Sequence, residues 1–282
     1  MKVMISGSSG LIGSALSKSL RSDGHIVVGL PRTYEESIDF SDVDAVVHLA
    51  GENIAAGRWT PDKKRRIEVS RVDGTRQLAE QLAGSPAKPS VFICASAIGF
   101  YGHRGDALLD EDSQAGDGFL PTVCKQWEAA SRPAEEAGIR TVRIRTGIVL
   151  STEGGALKKM LPPFKIGLGG TLGNGHQYMS WISLADVVQI IRFLIDTDSI
   201  SGAVNLVSPD PVTNSEFTKK LGQVLHRPAI LPLPSFAARI IFGEMANELL
   251  LESCRVHPGK LLNSGYAFRH TNLQDALKDI LG

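Results

Sequence analysis

MKVMISGSSGLIG, residues 1–13, joins a short β-rich run to a glycine-rich turn that opens a helical pattern. Glycine at positions 7, 10 and 13 permits a tight turn, lets main-chain N–H groups approach a pyrophosphate and allows the helix to pack closely on the strand. The N-terminus of that helix adds a dipole that favours an anion. The stretch therefore predicts the first strand, turn and helix of a dinucleotide-binding fold.

Beyond this unit, short β-rich runs alternate with helical patterns, which indicates βαβ units on a parallel sheet covered on both faces. The predicted helices span 11–23, 61–82 and 122–137, with Thr60 as N-cap of the second. The fold class is therefore α/β, a Rossmann-type doubly wound parallel sheet with a small, mainly helical C-terminal substrate region. The predicted strands are 2–6, 25–30, 45–49, 91–95, 140–145 and 203–207.

A shift in composition divides the chain into two unequal parts. Residues 151–175 are glycine-rich and loop-like, and PAILPLPSF (228–236) is punctuated by proline before a helical tail begins. We predict a dinucleotide-binding domain with substrate-pocket insertions over 1–234 and a small helical C-terminal domain over 235–282. The tail is too short for a large core of its own, so we expect it to pack on the first domain.

Composition excludes several classes of function. Thirty basic residues balance thirty acidic ones, so no charge excess points to nucleic acid or to an anionic membrane. The N-terminal β-rich run is too short for a signal-peptide core or a membrane span, and we expect a cytoplasmic protein. Three widely spaced cysteines form no metal-binding pattern, so we predict reduced, mostly buried thiols and no metal site.

The second strand ends near the residue that selects the dinucleotide. An acidic side chain about 20 residues past the glycines would bind the ribose of NAD(H), but this place holds Arg32. A guanidinium matches a 2′-phosphate in charge and geometry, so NADP(H) is the predicted cofactor. Glu35 and Glu36 follow closely and would still bind a ribose if the strand ended later. The small residues of HLAG (48–51), after the third strand, let the backbone pass beside the adenosine.

Several stretches together carry a resemblance to a known family. Beside the GxxGxxG spacing of the turn, they are HLAGENI (48–54), VSRVDGT (69–75), SAIGFYG (96–102), CKQWEAA (124–130), RTGIVLS (145–151), GLGGTLGNGHQYMSWIS (167–183) and LLLESCRVHPGKLLNSGYAF (249–268). Over its whole length the chain resembles the atypical and extended short-chain dehydrogenases/reductases of the SDR39U1-like epimerase group. That group is also called NAD-dependent epimerase/dehydratase or cell-division-inhibitor-like.

The resemblance implies a set of cofactor contacts. Arg71 stands where most extended members have an asparagine, and its long cationic side chain would reach a phosphate or the nicotinamide side; alternatively it belongs to the solvated basic face of its helix. The implied cofactor-binding residues are Gly7, Ser9, Gly10, Leu11, Ile12, Gly13, Arg32, Leu49, Ala50, Gly51, Arg71 and Ile148.

Relatives pair a serine after the fourth strand with a Tyr-x-x-x-Lys on the next helix, in which lysine lowers the tyrosine pKa for acid–base work. Ser96 takes the serine's position, but Val123 and Trp127 stand where tyrosine and lysine are expected. Tyr101, on the loop after Ser96, is the remaining candidate proton donor, or else an aromatic that closes the pocket. Arg145 either neutralises a glutamate, Glu128, or meets a ligand.

The predicted substrate follows from a second departure. Sugar-nucleotide epimerases grip a diphosphate with an arginine where this chain has Met179, and a thioether binds no anion. The surroundings are amphipathic and would suit a small, partly apolar carbonyl or enone, although Trp181 would equally serve as a core aromatic. The lining residues proposed from the sequence are His176, Gln177, Ser180 and Trp181, with Met160, Leu161, Phe164 and Met179.

Two functions are compatible with these features. The first is an NADP(H)-dependent oxidoreductase or epimerase-type enzyme that uses Ser96 and Tyr101 on a small carbonyl-like substrate and not on a typical UDP-sugar. The alternative is a dinucleotide-sensing or scaffold protein linked to cell division, with little or no catalysis, which the loss of the Tyr-x-x-x-Lys pair motivates.

Overall fold

The computed structural model describes residues 1–31, 33–34 and 36–282. Its centre is a parallel sheet in the order β2-β1-β3-β4-β6-β10, so the chain reverses its direction of winding between β1 and β3. Ligands of open α/β sheets bind at such a reversal, outside the carboxyl ends of the strands. The strands are β1 Lys2–Ser6, β2 Ile26–Gly29, β3 Ala45–His48, β4 Val91–Ala97, β5 Leu108–Leu109, β6 Arg140–Thr146, β7 Ile148–Leu150, β8 Tyr178–Met179, β9 Trp181–Ser183, β10 Gly202–Leu206, β11 Val212–Thr213 and β12 Arg255–Val256.

Helices cover both faces of the sheet, and the six central strands lie where the sequence predicted them, to within two residues. A 3₁₀ turn, Ile98–Phe100, follows β4, and a π-helical segment, Ala246–Leu251, lies in the tail. The α-helices are α1 Leu11–Ser22, α2 Pro61–Gly84, α3 Phe119–Ala130, α4 Arg132–Glu136, α5 Gly155–Lys165, α6 Leu184–Asp196, α7 Asn214–Val224, α8 Ser235–Phe242, α9 Gly259–Asn263 and α10 Leu273–Leu281. The α/β Rossmann-type fold class is confirmed.

Alternation along the strands gives the sheet two apolar faces. One face packs Val3, Ile5 and Val47 against α1 and α6, and the opposite face packs Met4 and Phe92 against α2, α3 and α4. Thr60 caps α2 as predicted, with its side chain accepting a hydrogen bond from Lys63 N. Both faces are therefore closed, which leaves the carboxyl edge as the open side of the sheet.

Two local predictions were wrong. The helix predicted over 122–137 begins earlier and breaks at Ser131, because Pro133 lacks the N–H that a continuous helix needs. The loop predicted over 151–175 contains α5, whose apolar residues Leu157, Leu161 and Phe164 are buried at helical spacing. The cap of α6 is Ser183, whose hydroxyl accepts from Asp186 N; Asp186 itself accepts from the main chain of the tail.

The tail is integrated with the rest of the fold through shared apolar clusters. Leu261 belongs to the core beneath α1 and α6, and α10 packs with α5 and α7 around Trp181. Met245 contacts the cluster formed by Trp59, Ile67 and Leu120. The tail residues thus bury apolar surface that they could not bury alone, while the domain boundary at 234/235 stays a prediction.

Two general expectations concern thiols and membranes. Cys94 and Cys124 are buried free thiols and Cys254 is a half-buried one, as predicted. Across residues 1–31, 33–34 and 36–282, the structure has no helix with the length and apolar character that a bilayer crossing requires.

Candidate cofactor and active site

The turn after β1 has the geometry of a phosphate-binding loop. Gly7 has φ +66°, in the left-handed region that favours glycine, and Gly10 N donates to Gly7 O at 2.9 Å. A Cβ at Gly13 would lie 2.2 Å from Gly7 O, so the helix can approach the turn only without a side chain there. No side chain caps α1, which leaves its first N–H groups directed at the open edge.

The turn after β3 is tied to the glycine turn by a buried serine. Ser6 Oγ accepts from Leu49 N at 3.1 Å and Ala50 N at 3.2 Å, and it lies 2.6 Å from His48 Nδ1. A Cβ on Gly7 would come within 2.9 Å of Ala50 N. The predicted cofactor residues Gly7, Leu49 and Ala50 therefore meet at the winding reversal between β1 and β3.

His48 makes this junction sensitive to acid. Burial lowers the pKa of His48 to about 4, so the folded chain holds it neutral while the unfolded chain binds a proton below about pH 6.5. Stability that is present above pH 6.5 is therefore lost as the pH falls towards 4. We expect urea unfolding at pH 7.5 and 4.5 to show that wild type loses about 2–3 kcal/mol more than His48→Asn. The expectation would be contradicted if wild type and His48→Asn lost equal amounts of stability between the two pH values. It would also be contradicted if the exposed control His176→Asn differed from wild type as much as His48→Asn does.

Arg71 is a half-buried cation that α2 directs at the end of β3. Its guanidinium carbon lies 5.1 Å from the ring centroid of Trp127 and 3.4 Å from the position of a Cβ on Gly51. Its protein hydrogen bond is to Ile67 O, at 3.2 Å, and within the part of the chain that the structure describes no carboxylate forms an ion pair with it. Burial lowers the pKa of Arg71, and the negative charge of Glu52 offsets only part of this lowering. Among the described residues the cation thus has no ion-pair partner, and it lies beside Gly51, where a dinucleotide would pass.

The serine predicted to be catalytic belongs to a buried polar network. Ser96 Oγ donates to Glu128 Oε1 at 2.7 Å, and Glu128 receives both Arg145 Nε at 2.8 Å and Arg145 Nη2 at 2.9 Å. Burial alone lowers the pKa of Arg145, but the bonds and charge of Glu128 outweigh it, so that the pKa is raised overall. The alternatives left open for Arg145 are thereby decided: it neutralises Glu128.

Tyr101 is the end of the same network. Its side chain is 0% exposed. The hydroxyl accepts from Arg145 Nη1 at 2.9 Å and donates to Asn205 Oδ1 at 2.7 Å, and Asp110 O lies 2.8 Å away as an alternative acceptor. Burial raises the pKa of Tyr101 to about 12, although Arg145 opposes the shift. The phenol is therefore positioned to hold Arg145, and its side chain presents no surface to a ligand.

On α3, the residues that replace the expected Tyr-x-x-x-Lys pair are structural. Val123 is buried, and Trp127 donates from Nε1 to Thr75 Oγ1 at 2.9 Å while its ring faces Arg71. Burial raises the pKa of Cys124 to about 12, so this thiol stays protonated. No tyrosine–lysine relay operates from this helix.

Comparison with known proteins places the chain in a family. The model of the NAD dependent epimerase/dehydratase family matches residues 3–206, and that of a domain of unknown function, DUF1731, matches residues 233–280. The chain belongs to the NAD dependent epimerase/dehydratase family.

Relatives within this family cover essentially the whole chain. The epimerase family protein Mb2239 of Mycobacterium bovis is 46% identical, over 98% of this chain and 96% of its own length. The human epimerase family protein SDR39U1 is 36% identical over 100% of both. A crystal structure of human SDR39U1 (isoform 2) with NADPH superposes with a TM-score of 0.94, at 34% identity and 99% coverage of each chain. The resemblance seen in the sequence is confirmed.

The substrate region of this epimerase-family chain differs from the prediction. Gln177, Ser180 and Trp181 are buried, and each donates to the main chain. Gln177 donates to Leu172 O and Leu250 O, Ser180 donates to Cys254 O, and Trp181 donates to Asp210 O. Their donor groups are therefore committed to the fold, and Trp181 is a core aromatic. The sulfur of Met179 accepts from Asn214 Nδ2 at 3.3 Å, so the Met179 side chain itself offers no cation to a diphosphate.

The remaining predicted cofactor residues have different outcomes. Ile148 donates its N–H to Ser180 O and packs its side chain against the α5 cluster, while Ser9, Gly10, Leu11 and Ile12 lie at the open start of α1. Arg32 and Glu35 lie outside the described residues. Sequence reasoning missed Glu248, whose carboxylate accepts from Leu120 N at 3.3 Å at the start of α3. One cue was present in the sequence: α3 begins after Gly118, which has no capping side chain, so a capping group would have to come from elsewhere in the chain.

Proposed function

We propose that this protein is an NADP(H)-binding atypical short-chain reductase, an oxidoreductase or epimerase-type enzyme acting on a small carbonyl-like substrate that is not a typical UDP-sugar. The observation that carries the proposal is the half-buried Arg71 beside Gly51, which forms no ion pair among the described residues. It is joined by α1, whose N-cap Gly10 has no side chain, and by a glycine turn with no room for a Cβ at Gly13. A dinucleotide phosphate or ribose would satisfy both groups. The NADPH bound to human SDR39U1 supports the choice of cofactor.

When bound, NADP(H) supplies or accepts a hydride. The N–H groups of Leu11, Ile12 and Gly13 would hold its diphosphate, and Leu49–Gly51 would pass beside its ribose. Arg32 would select the 2′-phosphate. Ser96, at the carboxyl end of β4, would turn its hydroxyl hydrogen to the substrate oxygen in place of Glu128 Oε1, which accepts it in this structure. Tyr101 would act through Arg145 as a positioning residue, because its hydroxyl is enclosed.

Calorimetric titration of the cofactor-stripped protein with NADPH, NADH, NADP⁺ and NAD⁺ tests the proposal. We expect NADPH to bind at least about tenfold more tightly than NADH, a difference of about 1.4 kcal/mol in binding free energy. Arg32→Ala should remove this difference, because the guanidinium would bind the 2′-phosphate that only NADPH carries. Arg71→Ala should weaken both nucleotides, because it lies beside Gly51, where the ribose and phosphates common to both would pass. The matched control is Arg65→Ala, on the exposed face of the same helix.

Wild-type protein that binds no dinucleotide would overturn the cofactor assignment. An NADH preference that Arg32→Ala leaves untouched would overturn the role of Arg32 alone. A weakening by Arg65→Ala equal to that by Arg71→Ala would mean that the effect is general electrostatics and not contact at Gly51.

The second candidate function, a dinucleotide-sensing or scaffold protein linked to cell division, is favoured by the structural role of Val123 and Trp127 on α3. In that case the occupied cofactor site would set the conformation of the tail. Complementation of a deletion strain separates the two. Full complementation by Ser96→Ala/Tyr101→Phe favours sensing over catalysis, and full complementation by Arg32→Ala as well removes sensing. The cytoplasmic location expected from the sequence stays a prediction.

A further inference from the structure

The tail residues 248–254 form a wall against the loop that follows Ser96 and against the start of α3. At one end Glu248 accepts from Leu120 N at 3.3 Å; at the other, Cys254 Sγ lies 3.6 Å from Ile98 O. Between them, Ser253 N donates to His103 Nδ1 at 3.0 Å. Glu252 is therefore held between anchors on the loop after Ser96 and on the start of α3.

Glu252 differs from three other half-buried glutamates, each of which has a hydrogen-bond donor. Glu248 receives a main-chain N–H, Glu128 receives Arg145 and Ser96, and Glu111 receives Asn205 N. Over the described residues, neither a hydrogen bond nor an ion pair reaches the half-buried Glu252 carboxylate. A carboxyl group held in a wall without a partner is available to a ligand.

We propose that Glu252 is the acid–base residue of the substrate site beside Ser96 and exchanges a proton with the oxygen of the carbonyl or alcohol substrate. The inference rests on the proposed function. In reduction, the carbonyl carbon gains a hydride from the reduced nicotinamide and the carbonyl oxygen gains the proton of the Glu252 carboxylic acid. The products are an alcohol, the oxidised nucleotide and the Glu252 carboxylate, which regains a proton from solvent.

The electrostatic surroundings suit this role at neutral pH. Burial, with the nearby negative charge of Glu248 as a second cause, raises the pKa of Glu252 to about 7. The other titratable or charged groups around it are Cys254, whose thiol pKa is raised to about 12 by burial, and His103 and Arg104 on the loop after β4. The Arg104 guanidinium donates to main-chain carbonyls of Tyr101, Gln114 and Ala115. Both protonation states of Glu252 are thus populated where acid–base catalysis is most efficient.

Carbon-13 NMR of protein labelled at glutamate Cδ tests the proposal without any substrate, since Glu252→Gln identifies the Glu252 resonance by its loss. We expect a midpoint near pH 7 that rises by about half a unit or more with saturating NADPH, because the nucleotide displaces water and brings negative charge. Glu248→Gln should lower the midpoint, since it removes the neighbouring charge. A midpoint near pH 4.5, or one that NADPH does not move, overturns the proposal.

Single-turnover oxidation of bound NADPH by methylglyoxal, cyclohexenone and 9,10-phenanthrenequinone adds a kinetic readout. For any probe that is reduced, Glu252→Gln should slow the step about 100-fold with NADPH affinity unchanged, and Glu252→Asp should recover part of the rate. Equal rates in wild type and Glu252→Gln overturn the role of Glu252 and leave the proposed function intact. Wild type that binds no NADPH overturns both, and if no probe reacts, the response of the NMR midpoint to NADPH decides.

Discussion

Gly13→Ala is expected to lower NADPH affinity about 100-fold or more, equivalent to about 2.7 kcal/mol. The new Cβ would lie 2.2 Å from Gly7 O and 2.9 Å from Gly7 C. Both are backbone atoms, so neither can rotate away, and the glycine turn must open to admit the methyl group. An opened turn moves the first N–H groups of α1 away from the place of the diphosphate. Overpacking of this kind also costs about 1–3 kcal/mol of folding stability.

Gly74→Ala is the matched control for that change. Gly74 lies within α2, and a Cβ there would meet no atom within 4 Å. We expect unchanged NADPH affinity and a stability gain of up to about 1 kcal/mol, since alanine is the better helix former. Calorimetry for affinity and urea unfolding for stability measure both proteins. NADPH affinity that survives in Gly13→Ala would show that the turn does not hold the phosphates.

Glu128→Ala is expected to destabilise the fold by about 3–5 kcal/mol, measured by urea unfolding. Its side chain is 12% exposed and that of Arg145 5%, so removal of the carboxylate leaves a buried guanidinium without its counter-ion. The same substitution frees Ser96 Oγ of its acceptor. Phe100, whose ring centroid lies 3.6 Å from the guanidinium carbon, offers only partial compensation.

Two controls separate loss of the ion pair from loss of packing. The double variant Glu128→Leu/Arg145→Met should recover most of the stability, because apolar residues of similar volume often replace a buried pair without cost. Asp275→Ala removes an exposed partner of Lys278, and we expect a change below about 0.5 kcal/mol. A loss below about 1 kcal/mol in Glu128→Ala would mean that water reaches Arg145 and that the network is not closed.

How far the candidate site followed from the sequence depends on the range of each interaction. The glycine turn was predictable because the strand, the three spaced glycines and the start of the helix lie within 13 consecutive residues. The partner of Arg145 stayed open between two alternatives, since Glu128, on α3, meets it only through the packing of helices on the sheet. Glu252 received no prediction at all, because nothing local distinguishes an acid that has a donor from one that lacks it.

Tyr101 illustrates the same limit from the other side. Its place after Ser96 made it the best remaining phenol in sequence, yet the pairing of β4, β6 and β10 encloses its hydroxyl between Arg145 and Asn205. The three lining residues Gln177, Ser180 and Trp181 were misread for the same reason. Each has a polar atom suited to a ligand, but that atom donates a hydrogen bond to a main-chain carbonyl of a distant segment.

The sequence by itself determined the α/β fold class, the positions of the six central strands and the glycine turn, because alternation, helical periodicity and glycine spacing act over short stretches of chain. It also carried the family, through motifs spread along its whole length. Tertiary structure alone decided which charges have partners, which aromatic residues are enclosed and which tail residues meet the loop after Ser96. Those outcomes depend on burial and on contacts between segments far apart in sequence, which local patterns do not encode.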